Sequence, residues 1–198
     1  MPKHILFALI AVCLILPGCS ESPTDPGDSA VDKDRIEARV TSASSEHDCD
    51  PNQTNPGDFS AYVKLYADVD GKWVLCATSK KGSFTIDSES DTKTKSFSGS
   101  SEIKVSITAP RVSGNRVRVE AYMEEHDSGS VDSRLVGTTD LVFDDDLRCW
   151  RTTNGSRCQT GSYATSRTFR EDEFHLFNPD DEGCQMTVRW GIATFAAN

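Results

Sequence analysis

The sequence predicts an all-β protein, an eight-stranded antiparallel β-sandwich. Three features point that way. Helical periodicity is nearly absent, apolar and polar residues alternate along eight separate segments, and turn residues fall between them. Alternation gives each strand one apolar and one polar face. That suits two antiparallel sheets packed over a shared core, whereas a parallel sheet covered on both faces would read as continuous apolar runs.

The segments run in order along the chain. Ile36, Ala38 and Val40 alternate with Glu37, Arg39 and Thr41. Ala61, Val63 and Leu65 alternate with Tyr62, Lys64 and Tyr66, and Asp70-Gly71 then reads as a hairpin turn into a strand over 73–78. A weaker strand is expected near 92–97. Ile103, Val105 and Ile107 lead to Ala109-Pro110, and Ser113-Gly114-Asn115 turns the chain into Val117, Val119, Ala121 and Met123. Residues 135–143 form the seventh strand, and Met186, Val188, Trp190 and Ile192 the last. Two stretches break the rhythm. Residues 42–57 read as a long loop rich in Asp, Asn and Pro. Residues 144–182 read as a long, disulfide-tied loop insertion before the last strand, with Phe169, Phe174, Leu176 and Phe177 available to pack back on the core.

Ahead of the domain, Met1 to His4 is a short basic start, followed by an uninterrupted apolar run over 5–16. As a helix that run rises only about 18 Å, too short to span a bilayer but fitting for the core of a signal peptide. It ends in Leu16-Pro17-Gly18-Cys19, which resembles the lipobox of bacterial lipoproteins. The resemblance implies a signal peptide over 1–18, removed before Cys19, and a diacylglyceryl group on the Cys19 thiol with further acylation (palmitate or a similar chain) on the new amino terminus. Two or three such chains make a stable anchor. The alternative is an ordinary secretory signal with an incidental cysteine. Residues 19–33 are rich in Ser, Pro, Gly and Asp and read as a flexible tether from the lipid to a domain over 34–197. In Gram-negative lipoproteins an Asp directly after the lipidated cysteine often retains the protein at the inner membrane. Ser20 therefore points to the outer membrane of the cell envelope.

The formal charge is −10, and loss of Lys3 with the signal takes it to −11. Such a chain repels nucleic acid, and a nucleic-acid partner is not expected. Of seven cysteines, Cys13 is in the signal and Cys19 takes the lipid, leaving Cys49, Cys76, Cys149, Cys158 and Cys184 in an oxidising compartment. Five is odd, and one thiol outside two pairs leaves about 15 arrangements. Cys149–Cys158, flanking the turn-like Thr152 to Ser156, and Cys49–Cys76 are the favoured pairs, with Cys158–Cys184 a competitor. With no CxxC pair, metal binding by these cysteines is not expected.

The strongest chemical constellation is a pair of acidic loops. One holds Glu46-His47-Asp48-Cys49-Asp50 and continues to Asp58, and the other runs from Glu124-Glu125-His126-Asp127 to Asp132. A hard cation such as calcium takes six to eight oxygens, which loops at one end of a sandwich can supply together. Asp58-Phe59-Ser60-Ala61-Tyr62-Val63-Lys64, the strand from Val119 to Asp127, Asp132 and Leu135-Val136-Gly137 together resemble a C2 domain over about 35–195. That resemblance implies Asp50, Asp58, Glu125, Asp127 and Asp132 as calcium ligands. The alternative is that these carboxylates are solvated loop residues of an acidic protein. His47, His126 and His175 are read as surface histidines near acids, with a transition-metal site as the other reading. Tyr62, Tyr66, Trp73, Trp150 and Tyr163 could form a carbohydrate-stacking platform, and cross-strand pairs that stabilise a sheet are the favoured reading. No Gly-x-Ser-x-Gly elbow or Ser–His–Asp order stands out. The leading expectation is a membrane-anchored, non-enzymatic envelope module for an unknown protein or glycan ligand. The alternatives are a hydrolase with its site in 144–182 and a purely structural lipoprotein that docks a partner protein.

Overall fold

A computed structural model describes residues 31–45, 57–86, 93–127, 130–153, 167–177 and 185–196. Cys19, most of the tether, Cys49, Asp50, Cys158, Tyr163 and Cys184 lie outside these residues. The described residues form eleven strands and one 3₁₀ turn, Gly99–Ser101. The strands are β1 (Lys33–Ser45), β2 (Gly57–Val69), β3 (Lys72–Thr78), β4 (Gly82–Ile86), β5 (Lys93–Ser96), β6 (Ile103–Pro110), β7 (Arg116–Asp127), β8 (Ser130–Asp144), β9 (Cys149–Thr152), β10 (Arg167–Phe177) and β11 (Gln185–Ala196). All pairings are antiparallel.

The all-β, two-sheet architecture matches the expectation, and its details correct it. Five strands form one sheet in the order β10-β11-β1-β5, with β6 also on β1, and six form the other in the order β3-β2-β7-β8-β9, with β4 also on β2. Eight strands were expected. The additional ones are β4, β9 and β10, the last two inside the stretch expected to be a loop, and β1 continues to Ser45 into the other expected loop.

Each sheet is built on a long strand whose partner on one side changes halfway. β1 pairs β6 from Lys33 to Val40 and β5 from Ser42 to Ser45. The register slips at Thr41, the extra residue of a bulge, whose carbonyl accepts from the Phe97 amide (2.9 Å). One extra residue reverses the phase of the strand. The inward set accordingly runs Ile36, Ala38, Val40, then Ala43 and Ser45, all at most 1 % exposed. β2 pairs β4 near its start and β3 near its end. Between those partners the Val63 amide donates to Ser79 Oγ (3.0 Å), while the Ser79 amide donates to the Val63 carbonyl (2.9 Å), which keeps the ladder closed. The Asp70-Gly71 turn has φ of 53° and 76°, the positive pair that a tight hairpin requires.

The inward faces meet in one core that draws on both sheets. Trp190 of β11 lies at its centre, fully buried, and its Nε1 donates to Thr139 Oγ1 of β8 (3.3 Å) across the gap between the sheets. Trp150 of β9 packs edge-on against Phe143. Trp150 takes no part in an exposed aromatic platform, because it alternates inward beside its partner Phe143 and is only 1 % exposed, which agrees with the favoured reading of a cross-strand pair.

The sandwich has two distinct ends. The chain enters at Val31 and Asp32, where the start of β1 meets the end of β6, and the β2–β3 and β8–β9 turns lie at this same end. Arg111 fastens the entry. Its amide donates to the Asp32 carbonyl (2.8 Å), its Nη2 donates to Asp34 Oδ1 (2.6 Å), and Arg148 reaches Asp32 at 3.8 Å. At the other end lie the end of β1, the start of β2, the end of β7 with the start of β8, and the start of β11.

Candidate functional site

The far end brings Asp58, the last carboxylate of the first acidic segment, beside the second segment. Asp58 on β2 stands directly opposite His126 on β7, and Asp127 opposite Ser130. Asp132 is the residue that the β7–β8 register skips, between Val131 (opposite His126) and Ser133 (opposite Glu125). The proposed calcium ligands do not all converge. Glu125 is opposite Phe59, which points into the core, so Glu125 also leaves the inner side of β7 and is 2 % exposed. Asp58, one position earlier on β2, leaves the outer side and is exposed. These two carboxylates are neighbours along the sheet but stand on opposite faces, so a single ion cannot be held by both. Among the described residues, no group of three or more His, Cys, Asp or Glu side chains is placed to hold a metal ion.

The best-built polar cluster lies beside this end, on the outer face of the six-stranded sheet, and is centred on Glu124. Alternation along β2 and β7 puts Ser60, Tyr62 and Lys64 on one face with Tyr122, Glu124 and His126. Glu124 is 1 % exposed because other side chains cover it. Its Oε1 accepts from Tyr62 Oη (2.7 Å) and from Arg134 Nε (2.9 Å), and its Oε2 accepts from Lys81 Nζ (2.8 Å). Burial alone would raise the Glu124 pKa, but the hydrogen bonds from Lys81 and Tyr62 and the positive charges of Lys81 and Arg134 outweigh it and hold the carboxyl below its usual range. Burial, then the bond to Glu124, pushes the Tyr62 phenol well above its ordinary value, so Tyr62 remains a donor.

A serine and a histidine are also present here, but their geometry is not that of a hydrolytic relay. Ser60 Oγ is 2.8 Å from His126 Nε2, and Glu124 Oε2 is 3.8 Å from that same nitrogen. A catalytic histidine takes the serine on one ring nitrogen and the orienting acid on the other. Both contacts on Nε2 leave the imidazole without that orientation.

Of the aromatic residues singled out in the sequence, Tyr62 and Trp150 stand in cross-strand aromatic pairs, with Tyr122 and Phe143, whereas Trp73 is covered by arginines. Tyr62 and Tyr122 are direct partners, stacked at 4.6 Å with 4° between their planes, and Lys64 Nζ lies 4.7 Å above the Tyr122 ring. Arg118 lies 4.4 Å over Trp73 and also holds Asp140 through two bonds of 2.7 and 2.9 Å. Tyr62 and Tyr122 are thus covered by cations of their own face, so their rings do not stand open as a stacking surface.

Cys76 and Cys149 are each disulfide-bonded. They sit on β3 and β9, the opposite edges of the six-stranded sheet. Four strand spacings separate them by roughly 19 Å, far beyond the reach of a shared disulfide. Their partners therefore differ.

In the sequence Glu124 reads as one member of an acidic loop, and Lys81, Arg134 and Ser60 carry no assigned role. The alternation of Ser60 and Tyr62 along β2 was the available signal. The approach of Lys81 from the β3–β4 link had none. No family model and no curated protein matches the sequence.

Proposed function

We propose that the chain is a lipid-anchored, non-enzymatic binding module of a bacterial envelope. Cys19 carries the lipid, the tether leads to the sandwich, and the far end presents its loops to a protein or glycan partner away from the bilayer. The observation that carries this reading is the direction of β1. β1 runs through thirteen residues from the entry end and finishes at the end where Asp58 of β2 and Asp127 of β7 lie. At about 3.3 Å per residue, the acidic tip stands roughly 40 Å from the point where the tether joins. Ser20 after the lipid site favours the outer membrane. The fractionation of Cys19→Ser tests the anchor. The wild-type chain is expected in the membrane fraction and released only by detergent, and the variant in the soluble fraction. An unchanged membrane fraction for the variant would overturn the lipid assignment.

Cys149–Cys158 and Cys49–Cys76 are the proposed disulfides. Cys158 follows Cys149 closely in the sequence, so a short loop would close this pair, which favours Cys158 over Cys184 as the partner.

A second reading, a C2-like tip organised by calcium, is favoured by the pairing of Asp58 with His126 beside Asp127. It draws on Asp58, Asp127 and Asp132, with Asp50 from the preceding segment, and leaves Glu125 to the inner face. Thermal unfolding of the purified chain tests it. Millimolar calcium is expected to raise the midpoint by several degrees, and Asp127→Ala to remove most of that rise. Equal midpoints with calcium and with a chelator would rule the ion out.

A further inference from the structure

The entry end of the sandwich holds a cleft of about 390 Å³ between the two sheets, opposite the acidic tip. That volume is within the range of clefts that hold small molecules, with room for roughly a dozen water-sized groups. Ile107 and Ala109 of β6 wall it on one side, and Val69 of β2 and Val117 of β7 on the other. The Trp150 indole also lines it. The Trp150 Nε1–H is buried and has no acceptor among the described residues. An indole N–H can only donate, and a buried donor left without a partner is rare in native folds. At the mouth stand Asp68, Asp70 and Arg116, with Arg116 Nη1 3.3 Å from Asp68 and its Nη2 3.7 Å from Asp140. The mouth is thus net negative, its one cation is engaged, and an anionic ligand is disfavoured there.

We infer that this cleft, which Thr108 and Asn115 also line, binds a small, uncharged molecule of mixed polarity, with an apolar body and a carbonyl or ether oxygen that accepts the hydrogen bond of Trp150. The apolar walls take the body of the ligand, and the indole N–H sets its orientation. The inference concerns the end opposite the acidic tip and stands whether or not Cys19 is acylated.

Prodan, a neutral naphthalene bearing a ketone, is a suitable probe, and N,N-dimethyl-2-naphthylamine is the same ring system without the acceptor. Titrated into the purified chain, prodan is expected to give a saturable, blue-shifted emission. Ala109→Trp, which fills the cleft, should remove that component. Val69→Trp, which fills it from the half-exposed mouth, should do the same if Ala109→Trp fails to fold. Dye taken up elsewhere on the chain is unaffected by either change and drops out of the difference. The wild type should prefer prodan over the ketone-free amine by about tenfold, and Trp150→Phe should erase that preference, whatever the change in wall shape does to the affinity of both dyes alike. Absence of a saturable component, or its survival in a folded cleft-filling variant, overturns the site. A preference that survives Trp150→Phe overturns the role of the indole.

Discussion

Glu124→Ala is expected to lower the unfolding free energy by about 2–3 kcal/mol at neutral pH, read from the shift of a urea midpoint. Removing one member of a fully enclosed ion pair costs about 3–5 kcal/mol, since the partner charge is left stranded. Here the cost is smaller, because Lys81 and Arg134 are about half exposed, at 52 % and 51 %, and can turn to water. Tyr62 has less freedom, since its ring is stacked on Tyr122. The effect carries a pH signature. The folded-state pKa of Glu124 lies below its ordinary value of 4.5. Its contribution is therefore complete above about 4.5 and is lost as the pH falls through the folded value. The stability difference between wild type and Glu124→Ala should shrink on acidification below pH 4.5. A constant difference down to pH 3 would mean that the carboxylate charge is not what stabilises the cluster.

Trp190→Ala is expected to cost more, about 3–5 kcal/mol, because it removes the largest side chain that spans the two sheets and leaves a void that neighbours can fill only in part. Val40, opposite it on β1, and Ile192, two residues on, are held in strand ladders and cannot collapse inward far. Trp190→Phe restores much of the volume and should recover more than half of the loss, the remainder including the bond to Thr139. A chemical denaturation series on the three proteins separates the contributions. Equal midpoints for the Phe and Ala variants would show that the indole N–H, and not the packing, dominates.

Most strands legible in the sequence have regularly spaced apolar inward positions, such as Ala61, Val63 and Leu65 of β2 and Val117 to Met123 of β7, whereas the weakly legible β5 is exposed throughout. The others have physical reasons to be illegible. β9 is four residues long, and β4 is five with a glycine at its start. β10 is an edge strand whose middle reads Arg170-Glu171-Asp172-Glu173. Charge on an edge discourages pairing with other chains, and it hides the strand from a search for alternation. The bulge at Thr41 left no compositional trace. Glu125 is different, because counting from Met123 would have placed it on the core side, and its place in an acidic run concealed that. The Glu124 cluster joins residues from three regions of the chain, so only the register of β2, β7 and β8 reveals it.

The position of β1 has a mechanical consequence. Any tension transmitted through the residues ahead of Val31 enters the fold along the axis of β1, close to the grip of Arg111 on Asp32 and Asp34. β1 is an interior strand, held by β11 along its length on one side and by β6 then β5 on the other. A pull along such a strand loads its many cross-strand hydrogen bonds in shear, all at once, whereas an edge strand pulled outward peels one bond at a time. In a chain anchored through the residues ahead of Val31, drag on the body of the sandwich would be spread from β1 over the whole five-stranded sheet.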